Sequence, residues 1–133
     1  MLIGISGISD IIIEASSLPD KLEYRKKSIY LCVMKQLEIF KALSNKTRLE
    51  MLQWLKDPEA SFPEQAHVSG FELGVCVGEI QRKAGLTQST VSEYLSILQR
   101  AGLVTSTRVG QWTYYKRNDI AFDELSKIIQ SDI

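Results

Sequence analysis

The side chains best suited to recognition chemistry lie together in the C-terminal half of the chain. Gln88, Ser89, Ser92, Glu93 and Ser96 interleave with Val91, Leu95 and Leu98 at helical spacing, so that the polar groups share one face and the apolar groups another. Such a face offers hydrogen bonds rather than bond-breaking chemistry. An amide such as Gln88 matches the adenine edge, and hydroxyls serve base or phosphate. Glu93 would repel phosphate unless it accepts from a cytosine amino group or pairs with a neighbouring base. Arg100, at the end of the same run, suits a phosphate contact. Taken singly, each of these residues is better explained as a solvent-facing position on a surface helix.

The remaining candidates are sparse. There is one histidine, His67, and there are two cysteines, Cys32 and Cys76, far apart and without the paired spacing of a zinc ribbon or redox motif. With no phosphate-cradling Gly-rich loop and no clustered carboxylates, no enzyme activity, cofactor or metal site is expected. Cys76 has two readings: a thiol favoured as thiolate by a helix N-terminus and open to arsenite, persulfide or oxidants, or a small buried apolar residue. Cys32 joins it, across a dimer, only if the N-terminal arm folds close by.

Several local signals frame the polar face. Val77, Ile80 and Ala84 form the apolar side of a short helix, Gly85 permits a sharp turn that Leu86 plugs, and Thr87 caps a helix from Gln88 to Ala101 that stops at Gly102. Two β-rich segments follow, Leu103 to Arg108 and Gln111 to Arg117, flanking Val109-Gly110. They read as a hairpin whose Arg108, Gln111, Lys116 and Arg117 track a phosphate backbone beside the groove. Trp112, Tyr114 and Tyr115 are either contacts of this hairpin or core packing beneath it. Asn118 or Asp119 caps a last amphipathic helix with Phe122, Leu125, Ile128 and Ile129 on one face.

Upstream, Leu37, Phe40 and Leu43 begin a helix at Met34, Ser44-Asn45 interrupts, and Leu49, Leu52 and Leu55 mark a second helix ended by Asp57-Pro58. The stretch to Gly74 reads as an unusually long loop. Residues 1–33 read as a poorly specified arm that natural translation from Met34 would omit, and residues 34–133 as one domain. Their Ile-rich run at Ile11 to Ile13 is far short of the roughly 20 residues that cross a bilayer and lacks signal-peptide flanks, so a cytoplasmic location without membrane contact is expected.

Overall charge is zero, with 16 bases and 16 acids among 133 residues, but it is unevenly distributed. From Ile80 to Arg117 six bases (Arg82, Lys83, Arg100, Arg108, Lys116, Arg117) face the single acid Glu93, a formal +5, whereas residues 1–79 carry −2 and residues 118–133 carry −3. A basic segment inside a neutral chain points to a local face for a polyanion.

These residues resemble the ArsR/SmtB group of winged-helix repressors over Met34 to Ile129. The resemblance rests on Phe40-Lys41-Ala42-Leu43-Ser44-Asn45-Lys46-Thr47-Arg48-Leu49, similar to the family's ALADPTRL sequence, and on Gly85-Leu86-Thr87-Gln88-Ser89-Thr90-Val91-Ser92 with Leu95 through Val104. It rests also on Arg108-Val109-Gly110-Gln111-Trp112-Thr113-Tyr114-Tyr115. Tyr94 stands where the family often has histidine, at a position near DNA. The resemblance implies a mainly α, dimeric winged helix-turn-helix with a small β-hairpin, a homodimer formed by the first and last helices, and repression of a double-stranded operator relieved by an inducer. The DNA contacts it implies are Thr87, Gln88, Ser89, Thr90, Ser92, Glu93, Ser96, Arg100, Arg108, Gln111 and Lys116. Metal-sensing members carry Cys-Val-Cys where this chain has Cys76-Val77-Gly78, which leaves one thiolate too few for a soft-metal site. The competing expectation is a winged helix that grips a protein partner instead of DNA.

Overall fold

The computed structural model describes residues 21–133. The run at Ile11 to Ile13 and most of the N-terminal arm lie outside them. The elements are α1 (Lys21–Leu43), α2 (Lys46–Lys56), α3 (Pro58–Ser61), β1 (Val75–Cys76), α4 (Val77–Ala84), α5 (Gln88–Arg100), β2 (Val104–Val109), β3 (Trp112–Arg117) and α6 (Asp119–Ser131). The chain divides into two compact units, residues 1–34 and 35–133; the sheet and the buried core belong to the second.

Helix α1 begins at Lys21, thirteen residues before the Met34 start expected from periodicity. Residues 21–33 contain no Gly or Pro, and their apolar side chains, including Leu22, Ile29, Leu31 and Val33, are exposed. Leu22, Ile29 and Val33 recur at i, i+7 and i+11, but Tyr24 and Leu31 fall on the opposite side and dilute the periodic signal. The core face of α1 is also displaced from the expected one. Ile39 and Ala42 are buried, Phe40 and Leu43 are half-buried, and Leu37 is exposed.

The break between α1 and α2 is tied by two side chains. Asn45 caps α2 by accepting from the Arg48 backbone N–H at 3.0 Å. Arg48 reaches back to donate Nε to the Ala42 carbonyl at 2.6 Å and a terminal nitrogen to the Lys41 carbonyl at 3.0 Å. Carbonyls left open by the end of α1 are thereby satisfied. Helix α2 buries Met51, Leu52 and Leu55, while Leu49 is exposed. Asp57 does end α2, but the loop expected from there opens with the single turn α3, capped by Asp57 with Pro58 at its first position.

The expected hairpin is two strands of a three-stranded antiparallel sheet in the order β1-β3-β2. Strand β1 pairs Val75 with Tyr115 and Cys76 with Tyr114, and two residues are too few to carry an alternation signal. The hairpin turn is Gly110-Gln111, one residue later than read, because Val109 pairs with Trp112. Gly110 takes φ 62°, the left-handed conformation that a tight two-residue hairpin wants at its first turn position.

Val75, Ile80, Val91, Leu95, Leu98 and Leu103 have no exposed surface and pack with Met51, Leu52, Leu55, Val104 and Leu125. Each such side chain contributes about 1.5–3 kcal/mol of burial, so α4, α5 and the sheet are held to α2 mainly by this cluster. Asn118 then links the end of β3 to the end of α5: its N–H donates to the Leu103 carbonyl and its Nδ2 to the Gly102 carbonyl, both at 2.9 Å.

Candidate nucleic-acid interface

Helices α4 and α5 are joined by three residues. Gly85 has φ 67° and donates its N–H to the Gln81 carbonyl at 3.0 Å, closing α4 with the left-handed cap that glycine adopts without steric cost. Leu86 packs against the core. Thr87 caps α5 by accepting from the Thr90 N–H at 3.3 Å, and its hydroxyl is within 2.9 Å of the Thr90 hydroxyl and 3.2 Å of the Ser89 hydroxyl. Gly102, at φ 81°, follows the last turn of α5.

Burial of Val91, Leu95 and Leu98 turns the opposite face of α5 outward. Gln88, Ser89, Ser92, Glu93, Ser96 and Arg100 are exposed. Thr90 is half-buried and Thr87 is engaged in the cap, so these two residues organise the helix start rather than extend its outer face. On the hairpin, Arg108, Gln111 and Lys116 are exposed. Gln99 Nε2 donates to Ser106 Oγ at 3.0 Å and couples α5 to β2. No periodicity marks this bond, since both residues are exposed polar positions on different elements.

The basic segment is less uniform than its formal charge. Arg82 is paired with Glu79, and Arg117 is paired with Asp119 while its guanidinium lies 3.8 Å from the Phe122 ring centroid. Lys83 sits 5.3 Å from the Trp54 ring centroid and 5.6 Å from that of Phe62. Among the described residues of this segment, Lys83, Arg100, Arg108 and Lys116 have no carboxylate partner; Arg108 donates to the Gly110 carbonyl and Lys116 to the Glu72 carbonyl. Of these, Arg100 lies on α5 and Arg108 and Lys116 on the hairpin, all three exposed.

The aromatic residues divide by role. Tyr114 is fully buried, and Tyr115 packs against the core, where burial pushes its phenol pKa up. Trp112 stacks on His67, with ring centroids 4.3 Å apart and planes 16° from parallel. Tyr94 is half-buried with the Arg48 guanidinium 5.3 Å from its ring centroid, so it ties α5 to the start of α2.

Cys76 is the residue before α4, half-buried, with its backbone N–H donated to Gln65 Oε1 at 2.8 Å. It lines a cavity of about 180 Å³ together with Gln65, His67, Glu79, Trp112 and Tyr114. Cys32 is exposed in the 1–34 unit. Among the described residues no three His, Cys, Asp or Glu side chains gather as a metal site would require, and no helix is long and apolar enough to cross a membrane.

A capped second helix with an exposed polar face, set beside a two-stranded wing, is a winged helix-turn-helix. Residues 75–106, which span β1 through the first half of β2, match the family described as bacterial regulatory protein, arsR family. An HTH-type transcriptional regulator of Bacillus subtilis, YbzH, is 46% identical over 100 residues, which is 75% of this chain and all of YbzH. The chain belongs to the ArsR family. ArsR2 of Halobacterium salinarum, described as a putative arsenical resistance operon repressor, is 35% identical over 80 residues, 60% of this chain and 56% of that one. Among solved structures, a homodimeric winged helix-turn-helix DNA-binding domain from Mycobacterium bovis superposes with TM-score 0.55 at 25% identity, covering 76% of this chain and 80% of that one. The ArsR fold is therefore mainly helical here with a small antiparallel sheet, and the protein is a transcriptional regulator with a DNA-binding helix-turn-helix, a class whose members are not enzymes.

Proposed function

We propose that this ArsR-family protein is a cytoplasmic repressor that binds its operator as a homodimer. The observation that carries this reading is the continuity of the exposed α5 face with the wing, joined by the Gln99–Ser106 hydrogen bond. Gln88, Ser89, Ser92, Glu93 and Ser96 read base edges from the N-terminal turns of α5, with Thr87 and Thr90 holding the helix start. Arg100, Arg108, Gln111 and Lys116 meet phosphates on either side of the groove. Residues 34–133 supply this function, with 1–33 as an N-terminal arm. Exposed Leu37 on α1 and Ile120 and Ile129 on α6 supply apolar surface for dimerisation through the first and last helices. Two copies then place half-sites about 34 Å apart.

Release by an inducer is assigned to the cavity beside Cys76. The cavity touches α4, which carries the recognition helix, and β3 of the wing, so a modified thiol there pushes on both halves of the DNA-binding surface. A partnership of Cys32 with Cys76 remains part of this proposal only as a contact between copies.

The test is affinity for duplex DNA from the protein's own promoter against unrelated duplex, across a salt series, with thiols reduced and then treated with arsenite or polysulfide. Selective, salt-sensitive binding supports the operator reading, and its loss on thiol treatment, retained in Cys76→Ser, assigns the sensor to another residue. Binding unaffected by the reagents removes the thiol switch. Absence of selective, salt-dependent binding overturns the DNA reading in favour of a protein-interaction module.

A further inference from the structure

The segment between α3 and β1 has no role in the helix-turn-helix itself, yet it is fastened at many points. Gln65 is the buried polar side chain among the described residues, 7% exposed, and its amide makes three hydrogen bonds. Nε2 donates to the Gly70 and Gly74 carbonyls, both at 3.0 Å, and Oε1 accepts from the Cys76 N–H at 2.8 Å. One side chain thus closes the loop and fixes its end to β1, doing for the loop what a ladder does for a strand.

The fastened loop lies against β3 along its length. Gly74 approaches so closely that a Cβ there would stand 2.2 Å from the Tyr115 carbonyl oxygen. Lys116 Nζ donates to the Glu72 carbonyl at 3.2 Å. His67 stacks on Trp112 at 4.3 Å. The position of that stack matters. Strand β1 pairs with only Tyr115 and Tyr114, so toward the tip β3 has β2 as its single strand partner. A two-stranded ribbon is marginally stable alone. His67 covers β3 just where β1 ends, beside Val109 and the Gly110-Gln111 turn that carry Arg108 and Gln111 outward.

We propose that residues 62–74 form a strap that sets the position of the wing on DNA, with His67 as its positioning residue, acting through Trp112 and touching no nucleotide itself. This rests on the operator reading above for its consequence, but the strap is a property of the free protein. Loss of the stack lets the wing tip sample positions from which Arg108 and Gln111 miss the backbone. A stacked aromatic pair corresponds to about a 2- to 12-fold equilibrium, which bounds the loss of DNA affinity.

The test uses the full chain with His67→Ala, His67→Phe, Arg108→Ala and the double variant His67→Ala/Arg108→Ala. Because His67 is exposed, these variants leave the core intact, and a melting curve for each checks it. In free protein, amide exchange over residues 107–113 speeds up in His67→Ala and returns in His67→Phe, which restores a ring without the imidazole. On promoter duplex, His67→Ala weakens binding by about 2- to 12-fold, and the loss shrinks in the Arg108→Ala background because one of the two wing contacts it supports is already gone. Unchanged exchange in His67→Ala overturns the strap. So does a penalty that adds fully to that of Arg108→Ala, which would make His67 a contact in its own right. If wild-type protein binds no duplex selectively, the operator reading falls while the exchange measurement still decides the strap.

Discussion

The salt dependence of DNA binding tests the interface quantitatively, because the structure pairs or turns aside some of the cations that the sequence counts. Six bases lie between Ile80 and Arg117, and if all met phosphate in both copies of a dimer, log K would fall against log salt with a slope of about −11. Glu79 pairs with Arg82, Asp119 pairs with Arg117, and Lys83 keeps its charge but lies over Trp54 and Phe62 rather than on α5 or the wing. Arg100, Arg108 and Lys116 remain, about six cations per dimer, which predicts a slope of about −5 and roughly a thousandfold loss of affinity between 50 and 200 mM salt. The assay is fluorescence anisotropy of a labelled promoter duplex at five or more salt concentrations, for wild type and two single variants. Arg108→Ala makes the slope shallower by about 2, one counterion per copy, whereas Arg117→Ala leaves the slope in place. A wild-type slope near −11, or equal changes for the two variants, refutes the assignment of which cations face DNA. A slope shallower than about −2 refutes phosphate contact by this surface altogether.

Two glycines with positive φ separate backbone strain from steric contact. Gly85→Ala meets open space and costs about 1–2 kcal/mol in urea unfolding, whereas Gly74→Ala adds collision with the Tyr115 carbonyl and costs about 3–5 kcal/mol; equal losses would contradict the close approach. Arg48→Ala and Tyr94→Ala couple in a double-mutant cycle by about 0.5–1 kcal/mol of stability, and an additive pair would show that the cation–ring contact is not formed. Tyr115 has its pKa raised above 10.0 by burial, so the folded state holds this proton more tightly than the unfolded chain. Its contribution is complete below the unfolded value and is lost as pH rises through the folded one. The urea midpoint of wild type therefore falls relative to that of Tyr115→Phe above about pH 10, and parallel curves would refute the burial effect.

The parts of the protein written in local chemistry were legible in the sequence. Gly85, Thr87 and Gly102 are turn, cap and stop signals that act within a few residues, and Val91, Leu95 and Leu98 define a helix face by period alone. The α4–turn–α5 unit and the outward position of Gln88, Ser89, Ser92, Glu93 and Ser96 follow from them, as does the hairpin to within one residue. Helix α1 upstream of Met34 was not legible, because Tyr24 and Leu31 lie opposite Leu22, Ile29 and Val33 and blur the periodic signal. The tertiary structure alone decided what depends on contact between distant segments. It set a two-residue β1 against Tyr114 and Tyr115, withdrew Arg82 and Arg117 from the basic face by pairing them, and placed Arg48 against Tyr94. It also brought His67 onto Trp112 across 45 residues of chain. No local pattern records such a contact, because a loop side chain acquires its partner only once Gln65 has closed the loop and the core has fixed the sheet.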